Sequence, residues 1–237
     1  MSLLKRLFDA VGGTASHAFA NVVETVRTVF AGDPETRRKV AFSVAMIALS
    51  AKMAKADGVV SKEEVAAFQD IFAIPDEEAA NVARLYNIAK QDVAGYDIYA
   101  ERIAGLCGSG HSNCAMLEDI LDGLFHIAKA DSLIHQKELE FIAHVADIFG
   151  FDEEHFDRIM ARHVHPEGID PYQVLGVEPH APFDEVRRRY RKLAADSHPD
   201  ALLARGVPQE FLAIANDRMA AINAAFATIQ KQQRVPA

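Results

Sequence analysis

The chain has 237 residues, 50% of them apolar, with 34 Asp+Glu against 25 Lys+Arg and a formal net charge of -9, a balance that suits a folded globular protein and excludes a disordered one. Two cysteines, 13 glycines and 9 prolines exclude a disulfide framework, a Cys-rich zinc module and a collagenous or low-complexity chain. The acidic total argues against phosphate contacts, which need clustered cations, only if the charge is evenly spread. No nucleic-acid partner is expected, because the basic helix that follows Pro182 has no aromatic, Asn or Gln side chain on its exposed face for base contact and the rest of the chain is acidic.

At the start of the chain Leu3, Leu4, Leu7, Phe8 and Val11 fall on one helical face with Lys5 and Arg6 beside it. This pattern predicts an amphipathic helical arm over residues 1–34 that docks on the protein itself or lies reversibly on a membrane surface. It is the one segment through which membrane contact is expected. Asp9 follows Lys5 and Arg6 too closely for a secretory signal. The uncharged runs Ala10–Val23 and Val40–Ala51 fall short of the roughly 18 to 20 apolar residues that span a bilayer. The expected location is cytoplasmic, at most peripheral at the inner membrane surface.

Residues 35–162 have helical spacing throughout, as in Phe42, Met46, Leu49 and Met53 or Leu117, Ile120, Leu121, Leu124 and Phe125, and the whole chain reads as all-α. Breaks are expected at Gly32-Asp33-Pro34, Ile74-Pro75-Asp76 and Gly108 to Asn113. The segment Ala54 to Ser61 recurs, 74 residues later, as Ala128 to His135, each copy lying between two apolar helical stretches. Ser61 and Glu64 have capping-box spacing, and His135 and Glu138 stand at the equivalent place with a poorer cap. Two related helical hairpins on one core are therefore expected. Asp57, Glu64, Asp131 and Glu138 form a candidate acidic site, although their spacing is not that of an EF-hand and acids near helix N-termini have a structural explanation. Lys55-Ala56-Asp57-Gly58 with Ser61 and Glu64, and Lys129-Ala130-Asp131, resemble the TerB-like domain, an all-helical domain named from tellurite-resistance proteins. The resemblance implies a stress context and no enzymatic mechanism.

Cys107, His111 and Cys114 offer three soft or borderline ligands where a closed zinc site needs four, so no metal is expected there. His163, Val164, His165 and Pro166 interrupt the apolar period, and residues 163–169 read as an exposed interdomain linker.

From Asp170 to the end the character changes. A short helix closed by Gly176 leads through Pro179 and Pro182 into a strong helix in which Val186, Tyr190, Leu193 and Ala194 share one face. Arg187, Arg188, Arg191 and Lys192 then lie largely on the others, where they suit steering toward an acidic partner. Pro199 ends this helix, because the residue before a proline is pushed out of the α region. After a long loop, Ala201 to Pro208, a second helix is expected with Phe211, Ala215, Met219, Ile222, Phe226 and Ile229 packing on the first.

Residues 170–237 resemble the J domain of DnaJ-type co-chaperones. The resemblance rests on Tyr172, Leu175 and Gly176, then Val186, Tyr190, Arg191, Lys192, Leu193 and Ala194, then His198-Pro199-Asp200, and finally Ile222, Asn223, Ala225 and Phe226. It implies docking on a DnaK-type heat-shock chaperone and acceleration of that partner's ATP hydrolysis, with His198, Pro199 and Asp200 indispensable and ATP bound by the partner. Residues 166–237 alone are expected to suffice. Together the two modules look like the DjlA-like group, with two departures: Ala201 stands where a lysine often follows the triplet, and no membrane anchor is evident. An enzyme, a catalytic residue and a cofactor are not expected, since His198 has no nucleophile in a recognisable setting. The alternative is a stress or metal-ion-response binding scaffold with an accessory J domain. In either case the client reached through the TerB-like domain is unknown. The charge divides accordingly: residues 1–169 carry 16 Lys+Arg against 26 Asp+Glu, and residues 170–237 carry 9 against 8.

Overall fold

The computed structural model describes residues 4, 6–7, 19–57, 68–69, 71–72, 74–91, 95–107, 114–129, 134–164 and 170–234, and among these every regular element is helical. The helices are α1 (Phe19–Val29), α2 (Pro34–Asp57), α3 (Asp76–Gln91), α4 (Tyr96–Ala104), α5 (Ala115–Ala128), α6 (Gln136–Ile148), α7 (Glu153–Ala161), α8 (Pro171–Leu175), α9 (Phe183–Ser197), α10 (Pro199–Arg205) and α11 (Ala213–Arg234). Short 3-10 turns follow α4 at Gly105–Cys107 and precede α11 at Gln209–Phe211.

Helix α2 begins where Gly32-Asp33-Pro34 predicts a break: the Asp33 carboxylate accepts from the Thr36 amide at 3.0 Å, and Pro34 needs no amide partner in the first turn. The uncharged run from Val40 is buried around almost its whole circumference, with Val40, Phe42, Val44, Ala45, Met46, Ile47, Ala48 and Leu49 fully enclosed and Ser43 half-buried. A helix that is apolar all round must sit at the centre of something. Here α1, α3, α4, α5 and α6 surround it. No helix among the described residues is long and apolar enough to cross a membrane.

Of the repeated hairpins, the second is formed by α5 and α6, which pack on each other and on α2. Ile142 and Val145 are buried, and Leu139 and Ile148 pack against the same core. The turns of both copies, residues 58–67 and 130–133, lie outside the described residues, and with them the Ser61–Glu64 cap. At the arm, Leu4 and Leu7 are buried in the helical core, and the Arg6 guanidinium lies 5.2 Å from the centre of the Phe30 ring. These two leucines therefore face protein rather than membrane. Leu3, Phe8 and Val11 are outside the described residues.

Two expectations about the C-terminal region need correction. The segment after the His-Pro-Asp triplet is helical as α10 rather than a long loop, and it is stopped by Gly206 at φ +99°. Phe211 and Ala215 do not pack on the basic helix. Together with Leu202, Val207 and Ile214 they enter the core around α2. Phe211 lies among bundle aromatics, 5.2 Å from Phe42 and 4.8 Å from Phe72 between ring centres. The far half of α11 behaves as expected: Ile222, Ala225 and Ile229 join Tyr172, Leu175, Val186 and Leu193 in a second core. Helix α11 thus belongs to both cores, and Ala161 at the end of α7 contributes to the second one.

Candidate functional site

Helix α8 is started by Asp170, whose carboxylate accepts from the Tyr172 amide at 2.9 Å, and it is closed by Gly176 in the left-handed region at φ +61°. A side chain at Gly176 would also collide with Arg158, whose Cδ lies 2.7 Å from the position of a Cβ, so both backbone freedom and close approach require glycine here. This turn orients α9. Asp184 and Glu185 occupy its first turn, complementing the dipole. On the inner face Val186 is fully buried, while Tyr190 stacks on Phe226 with ring centres 4.1 Å apart and donates its hydroxyl to Asn223 at 3.0 Å.

Arg187, Arg188, Arg191 and Lys192 are all exposed. Arg187 lies over the Phe183 ring, 4.9 Å from its centre, and 3.9 Å from Asp184. Arg189, inside the same run, is turned away from the others: its Nε donates to the Leu175 carbonyl at 2.9 Å. Partial burial, with Arg158 and Arg162 nearby, lowers its pKa.

His198 closes α9 and opens α10 with extended backbone, and Pro199 takes the first position of α10. The His198 carbonyl accepts from the amides of Ala201 and Leu202 at 2.8 and 3.2 Å. Its Nδ1 accepts from the Asp200 amide at 3.2 Å, which leaves the neutral ring's proton on Nε2. The His198 and Asp200 side chains are 57% and 86% exposed, with Nδ1 of the imidazole 3.6 Å from the carboxylate, so both are open to solvent at the end of a cationic helix. This arrangement offers exposed recognition groups.

The acidic candidates are not brought together in what the structure describes. Glu64, Asp131 and the Asp57 side chain lie outside the described residues. Glu138 accepts from the His135 amide at 2.9 Å, as the capping box expected at that turn requires. Among the described residues no group of three or more His, Cys, Asp or Glu could hold a metal ion. Cys114 is disulfide-bonded.

A family model described as "Tellurite resistance protein TerB" matches residues 43–161, and one described as "DnaJ domain" matches residues 170–235. The chain belongs to the TerB family and carries a C-terminal DnaJ domain. Similar curated proteins are each named Co-chaperone protein DjlA. The relative from Photobacterium profundum is 29% identical over 83% of this chain and 79% of its own. That from Vibrio vulnificus is 25% identical over 85% and 82%, and that from Coxiella burnetii is 29% identical over 76% and 73%. No solved structure matches the chain.

The DnaJ domain meets the TerB bundle across an ionic network that the sequence analysis missed. Asp119 and Asp122 of α5 are fully buried. Arg205, at the end of α10, grips Asp119 with two hydrogen bonds of 2.9 Å each. Arg218 of α11 donates to Asp119 at 2.8 Å and also to Asp122. Arg162 binds Glu118 at 2.7 Å, and His163 donates Nε2–H to Asp122. Expected to be exposed linker, His163 is buried and stacked on Phe125 with ring centres 4.9 Å apart. A second seam contact joins Asp217 to His126 and Lys129, both at 2.8 Å.

The electrostatics follow from this packing. Burial opposes charge on Asp122, but Arg218, Arg162 and the His163 hydrogen bond hold its carboxyl far below the usual range. Burial likewise opposes charge on Glu118, and the His155 hydrogen bond with Arg162 overcomes it, lowering the pKa to about 2. For Arg218 burial is outweighed by Asp122, Asp119 and Glu118, which raise its pKa. Burial pushes His163 below its ordinary value against the pull of Asp122. The signal in the sequence was two acids three residues apart inside the apolar run Leu117 to Phe125, with Arg205 and Arg218 as the matching cations outside the basic helix.

Proposed function

We propose that this chain is a co-chaperone that docks on a DnaK-type heat-shock chaperone through Arg187, Arg188, Arg191 and Lys192 of α9 and through His198-Pro199-Asp200, and stimulates that partner's ATP hydrolysis. The observation that carries this reading is the exposed triplet at the end of an exposed cationic helix. The cations steer an acidic surface toward α9, and the Asp200 carboxylate is free to accept a charge-assisted hydrogen bond from a partner arginine. Pro199 presets the first turn of α10, so the triplet is presented with little conformational freedom to lose. The names of the relatives from Photobacterium, Vibrio and Coxiella support the same role. The TerB domain supplies targeting, toward a client, an ion or a membrane, and the reaction belongs to the cytoplasmic side, where the partner has ATP.

The test is single-turnover ATP hydrolysis by DnaK with the full chain. His198→Gln is expected to abolish stimulation with helicity unchanged by circular dichroism. Full stimulation by that variant would overturn the reading.

A further inference from the structure

Arg205 touches both the TerB bundle and the backbone leading into the triplet. Its Nε and Nη2 hold the two oxygens of Asp119, and its Nη1 donates to the carbonyl of Asp196 at 2.8 Å. Asp196 lies two residues before His198. The helix that carries Arg205, α10, begins at Pro199 and is pinned to the bundle core by fully buried Leu202. The triplet is therefore flanked on one side by a carbonyl that Arg205 holds and on the other by a helix that Arg205 closes. Asp119 is itself fully buried and also accepts from Arg218. A planar guanidinium can serve a bidentate carboxylate and a carbonyl together, which an ammonium cannot do with fixed geometry.

We propose that Arg205 is a positioning residue for the His198-Pro199-Asp200 turn, and that the TerB domain, through Asp119, sets the conformation in which the triplet acts on the chaperone partner. This rests on the function proposed above. The TerB domain is on this account a structural part of the stimulating device, in addition to any targeting role. Docking and stimulation then weight these parts differently: the exposed cations of α9 carry most of the docking, and the clamped turn, which also meets the partner, chiefly governs the response of the docked partner.

The experiment uses the full chain with DnaK and measures binding affinity and maximal ATPase stimulation separately. Arg205→Ala is expected to lower maximal stimulation about tenfold or more, the scale of lost charge-assisted hydrogen bonds, while affinity changes less than about twofold because α9 is untouched. Amide hydrogen exchange at Ala201 and Leu202 should rise. Arg205→Lys should restore part of the stimulation, and Arg205→Ala with Asp119→Asn should lose less stimulation than the two single losses combined, because the Arg205–Asp119 contact is common to both. Should Arg205→Ala fail to fold, Arg205→Lys and Asp119→Asn, which keep side-chain bulk, report the same split between affinity and stimulation. Unchanged stimulation, or equal losses of affinity and stimulation, would overturn the proposal. Stimulation that survives His198→Gln in the otherwise unaltered chain would instead sink the proposed function itself, so the two failures are distinguishable.

Discussion

At Asp122 one carboxylate serves Arg162, Arg218 and His163 at zero solvent exposure. Burying such ions costs desolvation that their attraction only partly offsets, so the network need not stabilise the protein more than a well-packed apolar cluster would. Removing one member is a different matter, because the others stay buried without a counter-charge. Asp122→Ala is therefore expected to lower unfolding stability by about 3–5 kcal/mol, measured by urea denaturation at neutral pH. A loss under about 1 kcal/mol, the worth of an exposed pair, would show that the site is solvated. Asp119 and Asp122 were legible as anomalies in an apolar run. Their partners were not, because Arg205 and Arg218 lie 86 and 96 residues away from them and nothing local links the two.

The amphipathic division of α9 was read correctly from spacing alone. Val186 and Leu193 point into the second core, and Arg187, Arg188, Arg191 and Lys192 point out. Reversing Arg188 and Arg191 to Glu is expected to weaken DnaK binding more at low than at high ionic strength, because exposed charges are screened over roughly 10 Å at 0.1 M salt. Titration at two salt concentrations checks this, and an identical loss at both would argue against electrostatic docking. Helix α11 was read less well. Its apolar spacing is continuous, so periodicity assigns one partner to the whole face. In the fold Ile214 and Ala215 serve the bundle, and Ile222 and Ile229 serve the second core. Hydrophobic period identifies the buried face of a helix without naming what buries it.

In the whole molecule, the two family segments share side chains, so they are expected to lose structure together. Residues 166–237 in isolation would expose Leu202, Val207, Phe211 and Ile214 and strand Arg218, which is why the full chain is the proper reagent. The pH dependence follows from the same seam. His163 has a lowered pKa in the folded chain and about 6.5 when unfolded. Between these values only the unfolded state takes up the proton, and stability falls as pH drops. Glu118, lowered to about 2, and Asp217, held low chiefly by the His126 hydrogen bond, act with the same sign through the ordinary carboxylate range. Urea unfolding is expected to remain one transition, with its midpoint falling from about pH 7.5 to about 5.5 and more steeply below. Two separate transitions, or a flat midpoint over that first interval, would contradict a shared and buried seam.

The acidic total that opened the sequence analysis divides into a net -10 over residues 1–169 and +1 over residues 170–237. By itself the sequence determined the all-α class, the two family segments, the inner and outer faces of α9 and the helix-stopping triplet, because these depend on residue type and on spacing within one turn or two. Tertiary structure decided that Asp119 and Asp122 carry part of the acidic charge into the interior, that cations of the DnaJ domain meet it there, and that the triplet stands on a turn held from the TerB side. Local spacing cannot encode such choices: a buried charge is stable only beside its counter-charge, and which distant residue supplies it is settled when the helices pack.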